Sequence, residues 1–462
     1  MSQDIVAAVR AAGVIGAGGA GFPTYAKLSA RVDTVIANGA ECDPLLQCDQ
    51  RLMECYASGV VRGLQLAMTA TGAARGILAL KDGYGAAISS LRRAVAAARK
   101  SGKQPELELH LLESRYPAGD EFVLVYETTG RLVPEASLPL HVGCLVQNVQ
   151  TLYNIGQAAD GRAVTHRLLT VAGAVARPVT FWVPVGTALR DVLVWAGGIQ
   201  PPRWSGRTTA DYAVVVGGPM MGQVAADLDQ AVCKTTSGLL VLPCDNVVVR
   251  YLSRPRKSWV RRGISTCDQC RDCTELCPRY LVGHDLQPHE VMRAINYGLE
   301  RPPDKVTAAV LCCECRLCEA YACPLELSPM AYYVAIKAEL RAKGWSRPKP
   351  AAGRSLEPHP MREGRLVPTH RLMARLGLTE WEEQVCPLDE TEYRPARVTM
   401  PLRHPRGIGT PAAATVQVGQ RVVVGEAVAR VPEGKLGADV HASLTGRVTR
   451  VSDAEIEIVG QP

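Results

Sequence analysis

Aromatic side chains are scarce in this sequence. They make up 5% of 462 residues, and Phe occurs three times, so a Phe beside a glycine loop is conspicuous. No run of about 18 apolar residues occurs, so no membrane span is expected. The opening MSQDIVAAVR has no basic segment followed by an apolar core and a small-residue cleavage site, so no secretory leader and a cytoplasmic location are expected. Helix-turn-helix, zinc-finger and aromatic RNA-binding signatures are missing, and no nucleic-acid partner is expected. The net charge of +7 is mostly local. Arg254, Arg256, Lys257, Arg261 and Arg262 crowd one segment, and 345–375 is rich in Arg, which suits acidic partners or anionic cofactors.

What is present is an ordinary globular balance, 47% hydrophobic and 21% charged, long enough for about three domains. Residues 1–160 alternate strand and helix signals. VDTVIAN (32–38), GILAL (76–80) and ELELHLLE (106–113) read as strands, and 86–102 as an amphipathic helix, which predicts βαβ units and a parallel sheet. Residues 165–248 carry short β-rich runs with a helix at 187–196, the rhythm of a small β-grasp domain. Residues 250–264 read as a basic linker. Residues 255–340 hold most of the cysteines. The segment 345–394 opens with a Pro-, Gly- and Arg-dense stretch and reads as an extended linker. Residues 395–462 show short strands between glycine turns, as in a small barrel or sandwich.

Nine of the 16 cysteines fall between Cys267 and Cys323. Cys267, Cys270, Cys273 and Cys277 form C-x2-C-x2-C-x3-C-P, the bacterial ferredoxin run. Cys312, Cys315, Cys318 and Cys323 form a second run. Because the fourth cysteine of each run serves the other cluster, Cys267, Cys270, Cys273 and Cys323 are expected to hold one [4Fe–4S] cluster, and Cys312, Cys315, Cys318 and Cys277 the other. The second run has one extra residue before Cys323, expected to bulge out, and Cys313 stands beside Cys312 as a rival ligand. Zinc favours two separated C-x2-C pairs closing one tetrahedron, which this pattern does not supply. No nucleophile or acid–base motif is evident. His284 and His289 lie near the cysteines and are read as surface or capping residues in preference to metal ligands.

Gly16-Ala-Gly-Gly-Ala-Gly-Phe-Pro-Thr24 is a glycine-rich loop, in itself a weak signal. No clear strand precedes it, so a dinucleotide fingerprint is not met. Its wording is more specific. GAGGAGFPT with Lys27, then NGAECDP at 38–44, YPAGDE at 116–121 and QNVQTL at 147–152, resemble in order the flavin motifs of the FMN-bearing subunit of respiratory complex I. The resemblance implies an FMN pocket lined by Gly16, Gly18, Gly19, Gly21, Lys27, Asn38, Glu41, Tyr116, Gly119, Glu121, Asn148 and Thr151, with Phe22 facing the nicotinamide of NADH. Ala17 and Ala40 stand where that family has Arg and Asp, which implies a less polar pocket.

The whole order resembles the RnfC component of Rnf ion-pumping complexes and, with its barrel last, the cobalamin reductases of propanediol-utilisation microcompartments. The implied fold is α/β multidomain: a Rossmann-like flavin domain, a soluble-ligand-binding β-grasp (SLBB) domain, a ferredoxin-like 2[4Fe–4S] domain and a C-terminal barrel-sandwich hybrid. No lipoyl-type Lys stands at a turn of the last, which is read as structural or docking. The implied activity is electron transfer from NADH through FMN and two [4Fe–4S] clusters to cobalamin, in a bacterial microcompartment and in contact with shell proteins. The alternative is an Rnf-like NADH:ferredoxin-type component with another redox protein as acceptor. A flavin turns a hydride donor into a source of single electrons, and cubanes and corrin cobalt accept one at a time.

Overall fold

The structure, a computed structural model, describes residues 2–100, 106–298, 303–345, 356–403 and 408–460. Val35, Ile36 and Ala37 are fully buried, as an inner parallel strand with both faces covered requires. They belong to Thr34–Gly39, which pairs in parallel with Arg75–Lys81 on one side and Cys144–Asn148 on the other, and Glu106–Leu112 completes the four-stranded sheet. The expected strands and the expected helix, observed as Gly85–Lys100, are there, with 101–105 outside the described residues. The helix Val149–Ala159 lies hard against Ala57–Thr71. A Cβ on Gly63 would stand 1.8 Å from the Leu152 carbonyl oxygen, so only glycine permits this approach. That contact sets the position of the Val149–Ala159 N-terminus at the sheet's C-terminal edge.

The β-grasp unit has a six-stranded mixed sheet in the order Leu388–Asp389, Val179–Pro184, His166–Gly173, Gly238–Pro243, Tyr212–Val216, Gln223–Val224. The expected helix is Leu189–Trp195. Its edge strand Leu388–Asp389 corrects one expectation. The stretch 345–394 is not an extended linker where it is described. Leu372, Met373, Leu376, Leu378, Trp381 and Cys386 are buried in the β-grasp core, Val367–Pro368 pairs with Arg115–Tyr116, and Tyr393 stacks on Trp195 at 4.9 Å. The Pro and Arg content misled because the buried apolar residues are few and lie in or beside short elements, Thr369–Arg375 and Thr379–Trp381, without a long periodic run. Residues 346–355 lie outside the described residues. The basic segment 250–264 is likewise not a linker. It carries the end of the helix Val247–Leu252 and most of the helix Arg256–Thr266, because its charges are interrupted by helix-compatible apolar residues.

Short helices surround the cysteines, with Tyr332 and Tyr333 buried between them. The C-terminal unit is two small sheets, Arg397–Pro401/Glu455–Gly460/Gly446–Val451/Arg421–Val422 and Ala413–Ala414/Ala427–Arg430/Val440–His441. Val398, Met400, Ile456 and Ile458 alternate inward, the period of a half-buried strand. Lys234 ties this unit to the flavin domain, donating to the Gly13 and Asp439 carbonyls at 2.7 and 3.0 Å. No described helix is long and apolar enough to cross a membrane.

Candidate functional site

The glycine loop closes on itself through Gly16 N–H to Phe22 O (2.9 Å) and Gly21 N–H to Gly16 O (3.2 Å). Gly19 and Gly21 have φ of +99° and +71°, which the turn demands and other residues resist. Ala17 N–H donates to Thr151 Oγ1 at 2.8 Å, docking the loop on the helix whose N-cap is Asn148. The loop leads from no strand of the parallel sheet, as expected. It borders a cavity of about 590 Å³. Gly16, Gly18, Gly19, Phe22, Lys27, Asn38, Glu41, Tyr116, Gly119, Glu121, Asn148 and Thr151 all line it. Gly21 does not. It faces a smaller cleft beside Ile15 and Pro23, and its part is the turn.

Several of these side chains frame the cavity. Asn38 donates to Gly119 O (2.9 Å) and Asn148 to Asp49 Oδ2 (2.6 Å). Glu41 accepts from the Cys48 thiol and the Gln50 amide, both at 3.0 Å, so its carboxylate caps the Cys48–Cys55 helix. Lys27 faces Glu121 at 3.7 Å. Tyr116, 3% exposed, donates its hydroxyl to Cys315 O at 2.7 Å. Cys313 and Cys315 are themselves part of the cavity wall.

The two cysteine runs fold alike. In the first, Gln269 and Arg271 flank Cys270 with φ of +62° and +74°; in the second, Glu314 and Arg316 flank Cys315 with φ of +61° and +64°. Left- and right-handed residues in alternation turn successive amides inward, a concavity suited to anionic clusters. The match aligns Cys312 with Cys267 and Cys313 with Asp268. Cys313 lies between the Cys315 thiol, with which it hydrogen-bonds, and Arg279, whose guanidinium bonds both Cys313 and Asp120 and lies 3.6 Å from the Phe122 ring centroid. The extra residue is absorbed by a π-helical turn, Cys318–Ala322, the form in which helices take an insertion. Cys277 and Cys323 keep the same backbone, φ/ψ −71°/120° and −77°/114°.

Cys267, Cys270, Cys273 and Cys323 line one small cavity. Cys315 is pushed up first by its hydrogen bond with Cys313 and then by burial, with Cys277 and Cys312 adding to it, and Cys318 by burial and then by Cys312, Cys273 and Cys277. Burial and then neighbouring thiols push Cys273 well up, and burial pushes Cys277 up to about 12. All these cysteines are unpaired as disulfides. Crowded buried thiols that resist ionising alone are what a thiophilic metal centre neutralises, so the donor sets fit iron–sulfur clusters. His284 is 2% exposed with Nε2 2.9 Å from Val133 O, and His289 Nδ1 is 2.7 Å from Thr274 Oγ1, so both pack the fold.

Residues 9–157 match the Nuo51 FMN-binding domain family, 168–224 the SLBB domain, 266–328 the 4Fe-4S dicluster domain and 385–461 the RnfC barrel sandwich hybrid domain. Over 460 residues the chain is 45% identical to the cobalamin reductase PduS of Citrobacter freundii, covering 99% of this chain and 97% of that one, with the same figures for PduS of Salmonella typhimurium. The chain belongs to the PduS cobalamin reductase family. It is 35% identical over 276 residues to a component of the Na⁺-translocating ferredoxin:NAD⁺ oxidoreductase complex of Acetobacterium woodii, covering 58% of this chain and 56% of that one. This member of the PduS family is thus a multidomain α/β oxidoreductase with FMN-binding and 4Fe–4S domains.

The flavin motifs found one wall of this PduS-family cavity and missed the other. Gly217, Gly218, Met221, Gly222 and Thr235–Ser237 of the β-grasp unit, with Arg167 and Arg279, complete it. Asp43 pins the 217–222 loop by accepting from the Met220 and Met221 amides at 2.8 and 3.3 Å, and Arg316 Nε donates to Met220 O at 2.8 Å. Burial raises the Asp43 carboxyl to about 6 and that of Asp49 to about 7. Where Ala17 and Ala40 carry no charge, the lining also holds Asp43, Asp49, Arg167 and Arg279 from other positions in the chain. The VVVGGPMMG wording was a visible signal for the loop; Arg167, inside a β-run, gave none.

Proposed function

We propose that this chain is an NADH-dependent reductase that carries electrons through FMN and two [4Fe–4S] clusters to cobalamin, working in a bacterial microcompartment in contact with shell proteins. The observation that carries the reading is the shared wall: the cavity edged by the glycine loop is closed on another side by Cys313 and Cys315 of the second cysteine run. Bound there, FMN would accept a hydride and give up its electrons singly to one-electron centres.

In this reading the glycine-loop amides, Asn148 and Thr151 hold the flavin, Lys27 and Glu121 edge the opening, and Phe22 meets the nicotinamide. Cys267, Cys270, Cys273 and Cys323 form one ligand set, and Cys277, Cys312, Cys315 and Cys318 the other. The second set lies beside the flavin cavity, and Tyr116 fixes the Cys315 carbonyl against it. The first set includes the exposed Cys270, which supports an outward-facing position where a large acceptor can approach. The 217–222 loop, held by Asp43 and Arg316, would form the β-grasp side of the flavin site. The acceptor and the compartment rest on the relatives' shared domain order and on their name.

The test is anaerobic purification with iron, sulfide and flavin analysis, then stopped-flow mixing with NADH and turnover with cob(III)alamin or a ferredoxin-type acceptor. Bleaching of flavin and iron–sulfur absorbance with cobalamin reduction is expected. Zinc without sulfide would overturn the cluster assignment. Reduction of the ferredoxin-type acceptor alone would replace cobalamin with a redox protein.

A further inference from the structure

Arg167 is 2% exposed, the largest of the fully buried side chains. It stands in the β-grasp strand His166–Gly173 and lines the flavin-domain cavity together with Asn148, Thr151 and the glycine loop. Its Nε donates to Thr236 O at 2.8 Å, while Nη1 has no partner. No carboxylate forms an ion pair with it among the described residues. Arg167 acts electrostatically on Asp49, whose Oδ2 is held by Asn148 Nδ2 at 2.6 Å and whose carboxylate clusters within 4.8 Å with that of Glu41 and the Cys48 thiol, which sets Arg167 on the Asn148 side of the cavity. A buried guanidinium with an open nitrogen is costly unless an anion completes it.

The surroundings define that anion. The glycine loop 16–24 contains no basic side chain, and Lys27 already faces Glu121. The 11-residue helix Val149–Ala159 points its N-terminus into the same space, where backbone N–H groups and the helix dipole favour a phosphoryl group. A planar guanidinium fork matches phosphate oxygens in two parallel hydrogen bonds.

We propose that Arg167 is the cation that binds the phosphate of FMN, so that the β-grasp domain supplies the charge the flavin domain lacks. The inference rests on FMN occupying this cavity. It makes the flavin site a two-domain site and gives it a means to tell FMN from riboflavin.

The experiment is fluorescence titration of flavin-depleted full-length protein with FMN, riboflavin and NADH, in wild type, Arg167→Met and Arg167→Lys. Circular dichroism and iron content report folding. Wild type is expected to bind FMN at least about 100-fold more tightly than riboflavin. Arg167→Met is expected to weaken FMN about 30-fold while leaving riboflavin within about threefold, and Arg167→Lys to lie between. A folded Arg167→Met that keeps the FMN-to-riboflavin ratio overturns the proposal. So does a fall in NADH affinity with FMN unchanged, which would transfer Arg167 to the dinucleotide's pyrophosphate. Should the variants not fold, wild type alone decides, because equal affinity for the two flavins overturns it. Failure of wild type to bind either flavin would instead sink the FMN reading itself.

Discussion

Replacing Gly218 by Ala tests how the two walls of the cavity are joined. A Cβ there would lie 2.0 Å from Asp43 Cγ and 2.3 Å from Oδ2. Carbon atoms rest at about 3.5 Å, so loop and carboxylate must part by about 1.5 Å. That separation breaks the bonds from the Met220 and Met221 amides, 2.8 and 3.3 Å, and leaves Asp43 buried without them. Hydrogen bonds to a charged group contribute about 1.5–3 kcal/mol each. With partial relaxation, Gly218→Ala should cost about 3 kcal/mol, read as a shift in denaturant midpoint, and lower flavin occupancy. The decisive assay is a double-mutant cycle with Asp43→Ala. Removing Asp43 removes both the clash and the bonds, so Gly218→Ala on that background should cost under about 1 kcal/mol, a coupling near 2 kcal/mol. Strict additivity, or a single Gly218→Ala within about 0.5 kcal/mol of wild type, would refute the reasoning.

Further outcomes are expected. Cys312→Ser should lose about four iron atoms per chain and Cys313→Ser none, by anaerobic iron and sulfide analysis, because the left-handed residues at 314 and 316 align Cys312 with Cys267; the reverse result would shift the register. Oxidants should strip iron from the set containing exposed Cys270 before the set of buried Cys277, Cys315 and Cys318, seen as two phases in the EPR signal. Tyr116→Phe should cost about 1 kcal/mol through loss of the bond to Cys315 O and alter the nearby cluster's potential, with no change at the other. Burial first, and Lys234 second, hold the His441 imidazole down at about 4 from 6.5, against the opposing pull of Asp439. The folded state therefore binds fewer protons than the unfolded one between these values. His441 contributes stability that is full above pH 6.5 and is lost as pH falls through 4, up to about 3 kcal/mol. His441→Gln should flatten acid unfolding in that window.

The sequence by itself determined whatever depends on near neighbours. Cysteine spacing alone was enough to propose two ligand sets, since each run of seven or so residues, 267–273 and 312–318, folds alike with left-handed residues at matching positions. The apolar runs at 32–38, 76–80 and 106–113 determined a parallel sheet, and the motif order placed the glycine loop, Asn38, Gly119 and Asn148 at one cavity. Only the tertiary structure decided which partners meet across the chain. Asp43 and Met220, Tyr116 and Cys315, Arg167 and Asn148 are brought together by packing of separate units, and no local periodicity encodes such pairs. The packed segment from 356 to 394 was hidden for the same reason. Its few apolar side chains find their burial against a sheet formed some two hundred residues earlier, and until that surface exists, Pro and Arg dominate its character.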